Sequence, residues 1–453
     1  MQDKQARRDY MHKVLKANQS LTAHPRSIDE VIKVMTHPKK FPSPVRPVGS
    51  DSATTRVNRA QHGTVLDMTR MNRILKLGKE SVTVQAGVRL HELATLLADD
   101  GLELTSGSDL PDRTVGGAIS SCMLSAGIPG EDISLAASVS SIIIVSPAGE
   151  KIEIRETHER YMKLFRMSYG LTGVICHVTL KVRPIRSYQV NTTKLVLEEL
   201  AAVAGDLKDV PVGVKMHIMP FRNRAWVELR RPCKEQKPIR NLPWKIKEWA
   251  RSSAMPKVVN SVNKAFSVSK IRDPLIDGVT EATQKLFIGN FGDYANNALE
   301  LSGKFNTLRQ RQADKVGCSW AFPESEFNKV LAAFRNFSLA HYKHNGFRCD
   351  LPATAYRINQ DQESLLSPSF EGAVYILKLE STNAQGWDDF VLDLADFASG
   401  FSGIPIFNQT RSFTPEHAKD AFGMRLKAFS NARLKIDPEG RLLNQFFSEY
   451  MSQ

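Results

Sequence analysis

The 453-residue sequence lacks long apolar runs, paired cysteines and the common metal or hydrolase motifs. No window approaches the roughly 20 apolar residues that a membrane-spanning helix needs. Residues 1–21 are basic and polar, which argues against a secretory signal. The five cysteines are scattered without a CxxC pair, and the eleven histidines show no ligand spacing, so we expect neither a disulfide framework nor a metal site. These absences predict a cytoplasmic protein.

No helix-turn-helix, zinc-finger or aromatic RNA-binding signature accompanies the formal charge of +13, so we expect no nucleic-acid partner. Part of the charge is concentrated in residues 234–273, where ten lysines and arginines stand against three acidic residues and enclose Trp244 and Trp249. Such a segment could lie peripherally on the inner face of an anionic membrane or contact an acidic protein. A solvated insertion with its lysines outward fits the pattern equally well.

Short strands and helices alternate along the chain. Ser27 and Glu30 have capping-box spacing ahead of an apolar helical face, and the leucines of 90–97 predict a second helix that ends at Gly101. Residues 142–154 are typical of a β-hairpin. From about residue 188, further strands and one clear helix predict a second α+β domain. Thr414 and Pro415 then predict the start of a C-terminal helix.

Three turns rich in glycine and hydroxylated residues lie in the first 180 residues, at 46–54, 107–121 and 168–175. Small residues in such turns let backbone N–H groups approach an anion or a flat ligand closely. None of the turns carries the GxGxxG pattern followed by a long helix, which disfavours a Rossmann domain. The turns therefore predict a ligand cleft of another kind.

The order and spacing of these turns resemble the FAD-binding domain of the vanillyl-alcohol-oxidase, or PCMH-type, superfamily over about residues 25–185. The matching segments read VRPVGS, LDMTRMNRIL, VTVQAGVRLHELATLLADDGLEL, TVGGAIS and SYGLTGVI. Residues 356–370 and the segment RLKIDPEGRLLN at 433–444 are similar to the sugar-lactone and alditol oxidase branch.

This resemblance implies an α+β fold in two domains. Residues 1–187 would form the PCMH-type FAD-binding domain, and residues 188–410 an α+β substrate (cap) domain with a basic helical insertion at 234–290. Residues 411–453 would form a C-terminal segment that returns to the FAD-binding domain.

In the family, the first loop and the TVGG loop hold the FAD diphosphate. The cofactor-binding residues that the resemblance implies here are Val48, Gly49, Ser50, Asp51, Ser52, Thr54, Thr114, Gly116, Gly117, Ser120, Ser121, Ser125 and Val174. Asp51 stands where the family usually has glycine, so we expect its carboxylate to turn away from the diphosphate into a turn bond. Ser52 occupies the place of a flavin-linking histidine, and no cysteine matches the second linkage, which implies non-covalent FAD.

The substrate side departs further from the family. Arg357 keeps the place of a family arginine, whereas Ala355 replaces a glutamate and Gln409 replaces a lysine. The resemblance implies that Arg357, with Gln409 or Asn408, orients the substrate.

Leu377 falls about where the family has a histidine. Tyr375 and Lys378 could substitute for the lost groups. Because they lie on alternating faces of one strand, only one of them can face the substrate.

The family relation implies an FAD-dependent oxidase or dehydrogenase that takes hydride from an alcohol-type or related substrate at flavin N5. The substrate would be a small molecule, free or carrier-bound. Three lost ionisable groups leave open a non-redox enzyme, such as a biosynthetic cyclase, that keeps FAD as a scaffold. The intact cofactor loops disfavour a non-catalytic binding protein. The sequence does not name the substrate, the electron acceptor or the oligomeric state.

Overall fold

The computed structural model describes residues 20–451, except for Asp109, Pro111, Leu124 and the segments 234–240, 287–293 and 302–314. Several of the features predicted above therefore lie outside the described residues: the polar N-terminus, two residues of the second turn, and Lys234, Lys237 and Arg240 of the basic stretch.

The first domain begins with a small parallel sheet of strand order β1-β3-β2. Helix α1 begins after Ser27, whose side chain accepts a hydrogen bond from the Glu30 amide, as the capping-box spacing predicts. The buried face of this helix packs against the sheet through Val34 and Leu66. The elements are β1 (Leu21–Ala23), α1 (Ile28–Thr36), β2 (Val45–Val48) and β3 (Thr64–Asp67).

A second, six-stranded antiparallel sheet follows in the order β4-β5-β9-β7-β8, with β6 paired to β9. The predicted hairpin is present as β7 and β8, and the predicted leucine-rich helix is α2. The elements are β4 (Ile74–Leu77), β5 (Ser81–Gln85), α2 (Leu90–Asp99), β6 (Leu102–Leu104), α3 (Val115–Ile119), β7 (Val139–Val145), β8 (Lys151–Arg155), α4 (Glu159–Phe165) and β9 (Val174–Pro184).

The second domain is built on an eight-stranded antiparallel sheet of order β13-β10-β12-β11-β15-β16-β14-β17. Its strands are β10 (Tyr188–Leu195), β11 (Gly213–Met219), β12 (Arg224–Pro232), β13 (Tyr294–Ala295), β14 (Val316–Pro323), β15 (Ala353–Ile358), β16 (Val374–Ser381) and β17 (Ile404–Pro405). The helices of the same region are α5 (Leu197–Ala204), α6 (Asn241–Trp249), α7 (Met255–Ala265), α8 (Ser269–Lys285), α9 (Asn297–Leu301), α10 (Phe327–Asn345) and α11 (Trp387–Ser399). Together with the first domain this confirms the predicted α+β fold.

The two faces of this sheet have different surroundings, because side chains alternate along each strand. Ala355 and Leu377 join the large core on the side of α5, α10 and α11. Tyr356 and Ile376 face the other way and pack against Cys122 of the first domain. The second face therefore forms one wall of the contact between the domains.

The C-terminal part contains α12 (Pro415–Ile436) and α13 (Gln445–Met451), and Thr414 caps α12 as predicted. The segment before α13 contacts Arg46 of the first domain, a residue that is almost fully buried. Its guanidinium donates hydrogen bonds to carbonyl oxygens of Val57, Tyr169 and Leu442, at 3.1, 2.5 and 2.7 Å. Burial lowers the pKa of Arg46 to about 9. One side chain thus joins the first loop, the third turn and the chain end.

Candidate active site

The three glycine-rich turns come together around one cleft of about 720 Å³, a size typical of ligand pockets. The predicted residues that line it are Val48, Gly49, Ser50, Asp51, Ser52, Thr114, Gly116, Gly117, Ser120, Ser121 and Asn408. Tyr169, Gly170, Gly173 and Ile175 of the third turn complete the wall.

Three predicted cofactor residues lie beside this cleft rather than on its wall. The Thr54 hydroxyl donates to the Gln409 carbonyl at 3.1 Å and ties the first loop to the second domain. Ser125 lines a neighbouring cavity, and Val174 is buried in the core beneath the small sheet. Their predicted contact with the cofactor therefore stays a prediction without support from the cleft wall.

Two glycines of the cleft lie beside the side chain of Thr114. A Cβ atom at Gly49 would lie 1.9 Å from Thr114 Oγ1, so the first loop and the TVGG loop can meet only through glycine. A Cβ atom at Gly117 would meet only Thr114 Oγ1, at 3.1 Å, and would project from the cleft wall. The space beside Gly117 is available to a ligand.

Asp51 has a backbone conformation that explains why the family usually has glycine at this position. Its φ is 51°, in the left-handed region that favours glycine. Its carboxylate accepts a hydrogen bond from Asn58 Nδ2 at 3.0 Å, which agrees with the expected turn bond. The carboxylate therefore has a hydrogen-bond donor in the segment that follows the first loop.

Arg113 was not predicted as a cofactor residue, yet it is buried and lines the cleft. Its guanidinium donates to the Cys122 carbonyl at 3.1 Å and to Ser121 Oγ at 2.5 Å. Its place immediately before Thr114 was the available sequence signal. A fixed guanidinium among glycine and serine residues suits a diphosphate.

These residues fit FAD. Asn408 Oδ1 is buried at the cleft without a hydrogen-bond partner among the described residues, so a bound group can satisfy it. Hydroxyl groups, glycine backbone and one guanidinium surround the rest of the cleft, and its single carboxylate is already bonded to Asn58.

Arg357 lies away from both the cleft and the cavity described below, so this geometry gives its predicted contact with the substrate no support. It shares the helix-covered face of β15 with Ala355. Its guanidinium donates to the carbonyls of Lys208 and Val210, at 3.1 and 3.3 Å, and forms a 2.7 Å ion pair with Glu324. Neither cavity described here is lined by this arginine.

The two other predicted catalytic residues also lie outside the second cavity described below. Gln409 is buried, and its Oε1 accepts a hydrogen bond from Ser319 Oγ at 3.0 Å, so it supports the chain rather than facing a cavity. Asn408 faces the cofactor cleft instead of a substrate site.

A second cavity, of about 870 Å³, lies on the opposite face of the large sheet. Thr354, Tyr356 and Lys378 line it from β15 and β16, and helices α6 to α8 cover it. Of the two substitutes considered from the sequence, Lys378 faces this cavity. Tyr375 instead stacks on Phe327, with ring centroids 4.2 Å apart, on the helix-covered face.

Strand β11 adds Lys215 and His217 to the cavity, and neither residue was predicted from the sequence. Arg251 contacts His217 Nε2. Because a guanidinium can only donate, Nε2 accepts and the proton sits on Nδ1, which lies 3.4 Å from Thr354 Oγ1. Burial, helped by the nearby Arg251, holds the pKa of His217 well below its usual range. The imidazole is therefore neutral.

Ser121, Cys122, Ser125 and Ala126 lie between the cleft and the cavity. Ser121 lines the cofactor cleft, Cys122 and Ala126 pack against the large sheet, and Ser125 lines the cavity. Because Ser121 and Ser125 are close in sequence, the walls of the cleft and of the cavity lie near each other here.

Comparison with known proteins gives two family matches. A model described as an FAD binding domain matches residues 20–154, and a model described as D-arabinono-1,4-lactone oxidase matches residues 178–450.

Named relatives extend the match. L-gulonolactone oxidase of Mus musculus is 24% identical over 445 residues, covering 94% of this chain and 93% of the relative. The mitochondrial L-galactono-1,4-lactone dehydrogenase of Arabidopsis thaliana is 32% identical over 157 residues, which is 34% of this chain and 25% of the relative. A solved structure of cholesterol oxidase from B. sterolicum has a TM-score of 0.75 at 13% identity, covering 95% of this chain and 94% of that one, and so shows the fold.

Proposed function

Because the chain belongs to the D-arabinono-1,4-lactone oxidase family and is an FAD-dependent oxidoreductase, we propose that it oxidises a hydroxyl-bearing carbon of a small polyhydroxylated substrate of the sugar-lactone type. The observation that carries this proposal is the nearness of the cofactor cleft to a polar cavity under the second domain, with Ser121 on the wall of the cleft and Ser125 on the wall of the cavity. The named relatives are oxidases and dehydrogenases, so the non-redox alternative has no support.

The first loop, the TVGG loop and Arg113, which line the cleft, would hold the cofactor. Bound FAD supplies the two-electron acceptor, which takes hydride at N5. Ser52 lines the cleft where a linking histidine would stand, and this supports non-covalent binding. Acid precipitation should release all the flavin into the supernatant, and yellow colour on the precipitated chain would contradict this part of the proposal.

The chain's own groups would orient the substrate. Lys378 Nζ can donate a hydrogen bond to the oxygen of the reacting hydroxyl and stabilise the negative charge that develops on it. Thr354 and Tyr356 supply neighbouring hydroxyl groups on the same sheet face. Trp244 and Leu351 line the cavity with apolar surface and limit access of water.

The function is tested by mixing the yellow protein anaerobically with aldonolactones, alditols and aldonic acids while following the flavin absorbance near 450 nm. Bleaching by at least one hydroxylated substrate, with recovery of the colour on reoxidation, is the expected result. A flavin that stays oxidised while a substrate is converted would overturn the redox assignment.

No helix in the described ranges is long and apolar enough to cross a membrane. We propose that the enzyme works in the cytoplasm and touches the inner, anionic face of a membrane through its helical insertion. Trp249, Val268 and Ile271 are about half exposed there, at 48, 54 and 53%. Exposed Lys264 and Lys270 flank the apolar surface.

Not all of the basic stretch serves this surface. Lys247 is buried, and Arg251 is turned inward to Glu248 and His217.

Co-sedimentation with vesicles of phosphatidylglycerol, but not with vesicles of phosphatidylcholine, is expected. Val268→Glu should abolish sedimentation, whereas Leu392→Glu, at an equally exposed position on α11, should not. Equal sedimentation of both variants would refute the membrane contact.

A further inference from the structure

We propose that the cavity under the second domain selects a hydroxylated substrate that carries an oxyanion, a carboxylate or a phosphate, bound by Lys215 of β11 and Gln284 of α8. This inference rests on the proposed function for the cavity's role as the substrate site. It adds that the substrate carries a negative charge, which a neutral sugar lactone lacks.

Lys215 is the first observation. Its side chain lines the cavity, only 8% of the residue is exposed, and its Nζ lies 5.4 Å from the ring centre of Tyr356. Among the described residues its ammonium group has no hydrogen bond and no ion pair. A buried ammonium that no carboxylate contacts directly is costly, so the cavity favours a ligand that brings a negative charge.

The other cations of the cavity already have acidic partners. Arg230 pairs with Glu228 and Glu300, at 2.8 and 2.6 Å. Arg251 pairs with Glu248, and Lys315 and Lys378 share Glu380 at 3.1 and 3.5 Å. Lys215 is therefore the one cation of the described cavity wall whose charge a ligand must balance.

Gln284 is a second and independent observation. It is 1% exposed and lines the same cavity, and neither its Oε1 nor its Nε2 has a hydrogen-bond partner among the described residues. Buried amides are nearly always satisfied, so an amide with both ends unused indicates a polar ligand. Its N–H group can donate to an oxyanion, and its carbonyl can accept from a neighbouring hydroxyl.

The protonation of Lys215 makes the proposal pH-dependent. Burial, with a further contribution from Arg251, lowers the pKa of the Lys215 ammonium. Other groups that act on it are Glu248 and Glu228, which favour its charge, and Arg230, which opposes it. The charged form predominates below that pKa, so anion affinity should fall as pH rises through it. A bound anion should raise the pKa and cause proton uptake.

The test measures ligand binding directly, by calorimetry and by fluorescence of the cavity residue Trp244. Three probes of equal carbon number are used: gluconate, glucose 6-phosphate and the neutral glucono-1,5-lactone (freshly dissolved). The holoenzyme should bind at least one of the two anions ten-fold or more tightly than the lactone. Whichever anion binds more tightly shows whether the site prefers a carboxylate or a phosphate.

Lys215→Met should remove the anion preference while leaving weak binding of the neutral probe. Lys215→Arg should keep the preference and lose its decline at high pH, because a guanidinium stays charged. Gln284→Leu should weaken binding of the anion several-fold. Lys257→Met, at an exposed lysine of the same insertion, is the matched control and should bind like wild type.

Equal binding of lactone and anions by the wild type, or an anion preference that survives in Lys215→Met, would overturn the inference. Failure of the proposed function looks different. Anion binding that depends on Lys215 but never bleaches the flavin anaerobically would retain this site and reject the oxidation.

Discussion

The cofactor cleft and the substrate cavity are built in different ways. The cleft is made mainly of glycine, serine and threonine from three loops, and it places backbone close to the ligand. The cavity is lined by charged side chains drawn from the large sheet and the helical insertion. A backbone-lined site accepts one cofactor through its shape, whereas a side-chain site changes its ligand with a few substitutions. The following predictions test this difference.

The largest effect is expected at Gly117. Gly117→Val should abolish FAD binding with the protein still compact, because its side chain would enter the space beside Thr114 on the cleft wall. The ratio of absorbance at 450 and 280 nm, together with circular dichroism, measures this. Gly205→Val is the matched control, since nothing lies within 4 Å of a Cβ atom there. Full flavin occupancy in Gly117→Val would show that the TVGG loop does not approach the cofactor.

A substitution in the cavity should have the opposite effect: the protein keeps its FAD and loses its rate of flavin reduction. Lys378→Met should leave FAD content unchanged and slow flavin reduction by a factor of about a hundred to a thousand, the typical cost of one lost oxyanion donor. Stopped-flow absorbance under anaerobic conditions gives the rate. A variant that loses FAD and activity in parallel would indicate that the two sites are not separable.

Arg357 lies on the face of the large sheet opposite the cavity, and its replacement tests whether its role is structural. Arg357→Met should cost about 3 kcal/mol of unfolding free energy, because Glu324 and buried carbonyls lose their partner. The rate of flavin reduction per bound flavin should stay near that of wild type. Urea unfolding and stopped-flow rates measure the two effects. Lys329→Met removes an exposed pair with Glu326 and should cost less than about 1 kcal/mol.

The smallest effect is expected at Asp51. Asp51→Gly relieves a left-handed backbone conformation and removes a carboxylate from the cleft, at the loss of one bond from Asn58. FAD should bind a few-fold more tightly, as measured by titration of the apoprotein. Weaker binding would indicate that the Asp51–Asn58 bond shapes the loop more than its charge disturbs it.

The same difference explains what the sequence could predict. The cleft follows from local residues, since glycines such as Gly49 and Gly117 are contiguous with the hydroxyl groups that share their loops. The cavity depends on which face each strand residue takes, and a shift of one position reverses that face. Arg357 was placed in the substrate site on family position alone, but it shares the helix-covered face with Ala355.

Other residues of the cavity left no local signal. Lys215 and Gln284 lie far apart in the sequence, on a strand and on an insertion helix that only the fold brings together. Arg113 is intermediate, because it adjoins the TVGG loop yet gave no motif of its own.

Anaerobic flavin reduction by wild type and Lys378→Met, side by side with one hydroxylated substrate, tests the central claim most directly. The account predicts rapid bleaching in wild type, and bleaching slowed about a hundred-fold or more in a variant of equal FAD content. Equal rates in the two proteins would contradict the assignment of the cavity as the site of oxidation.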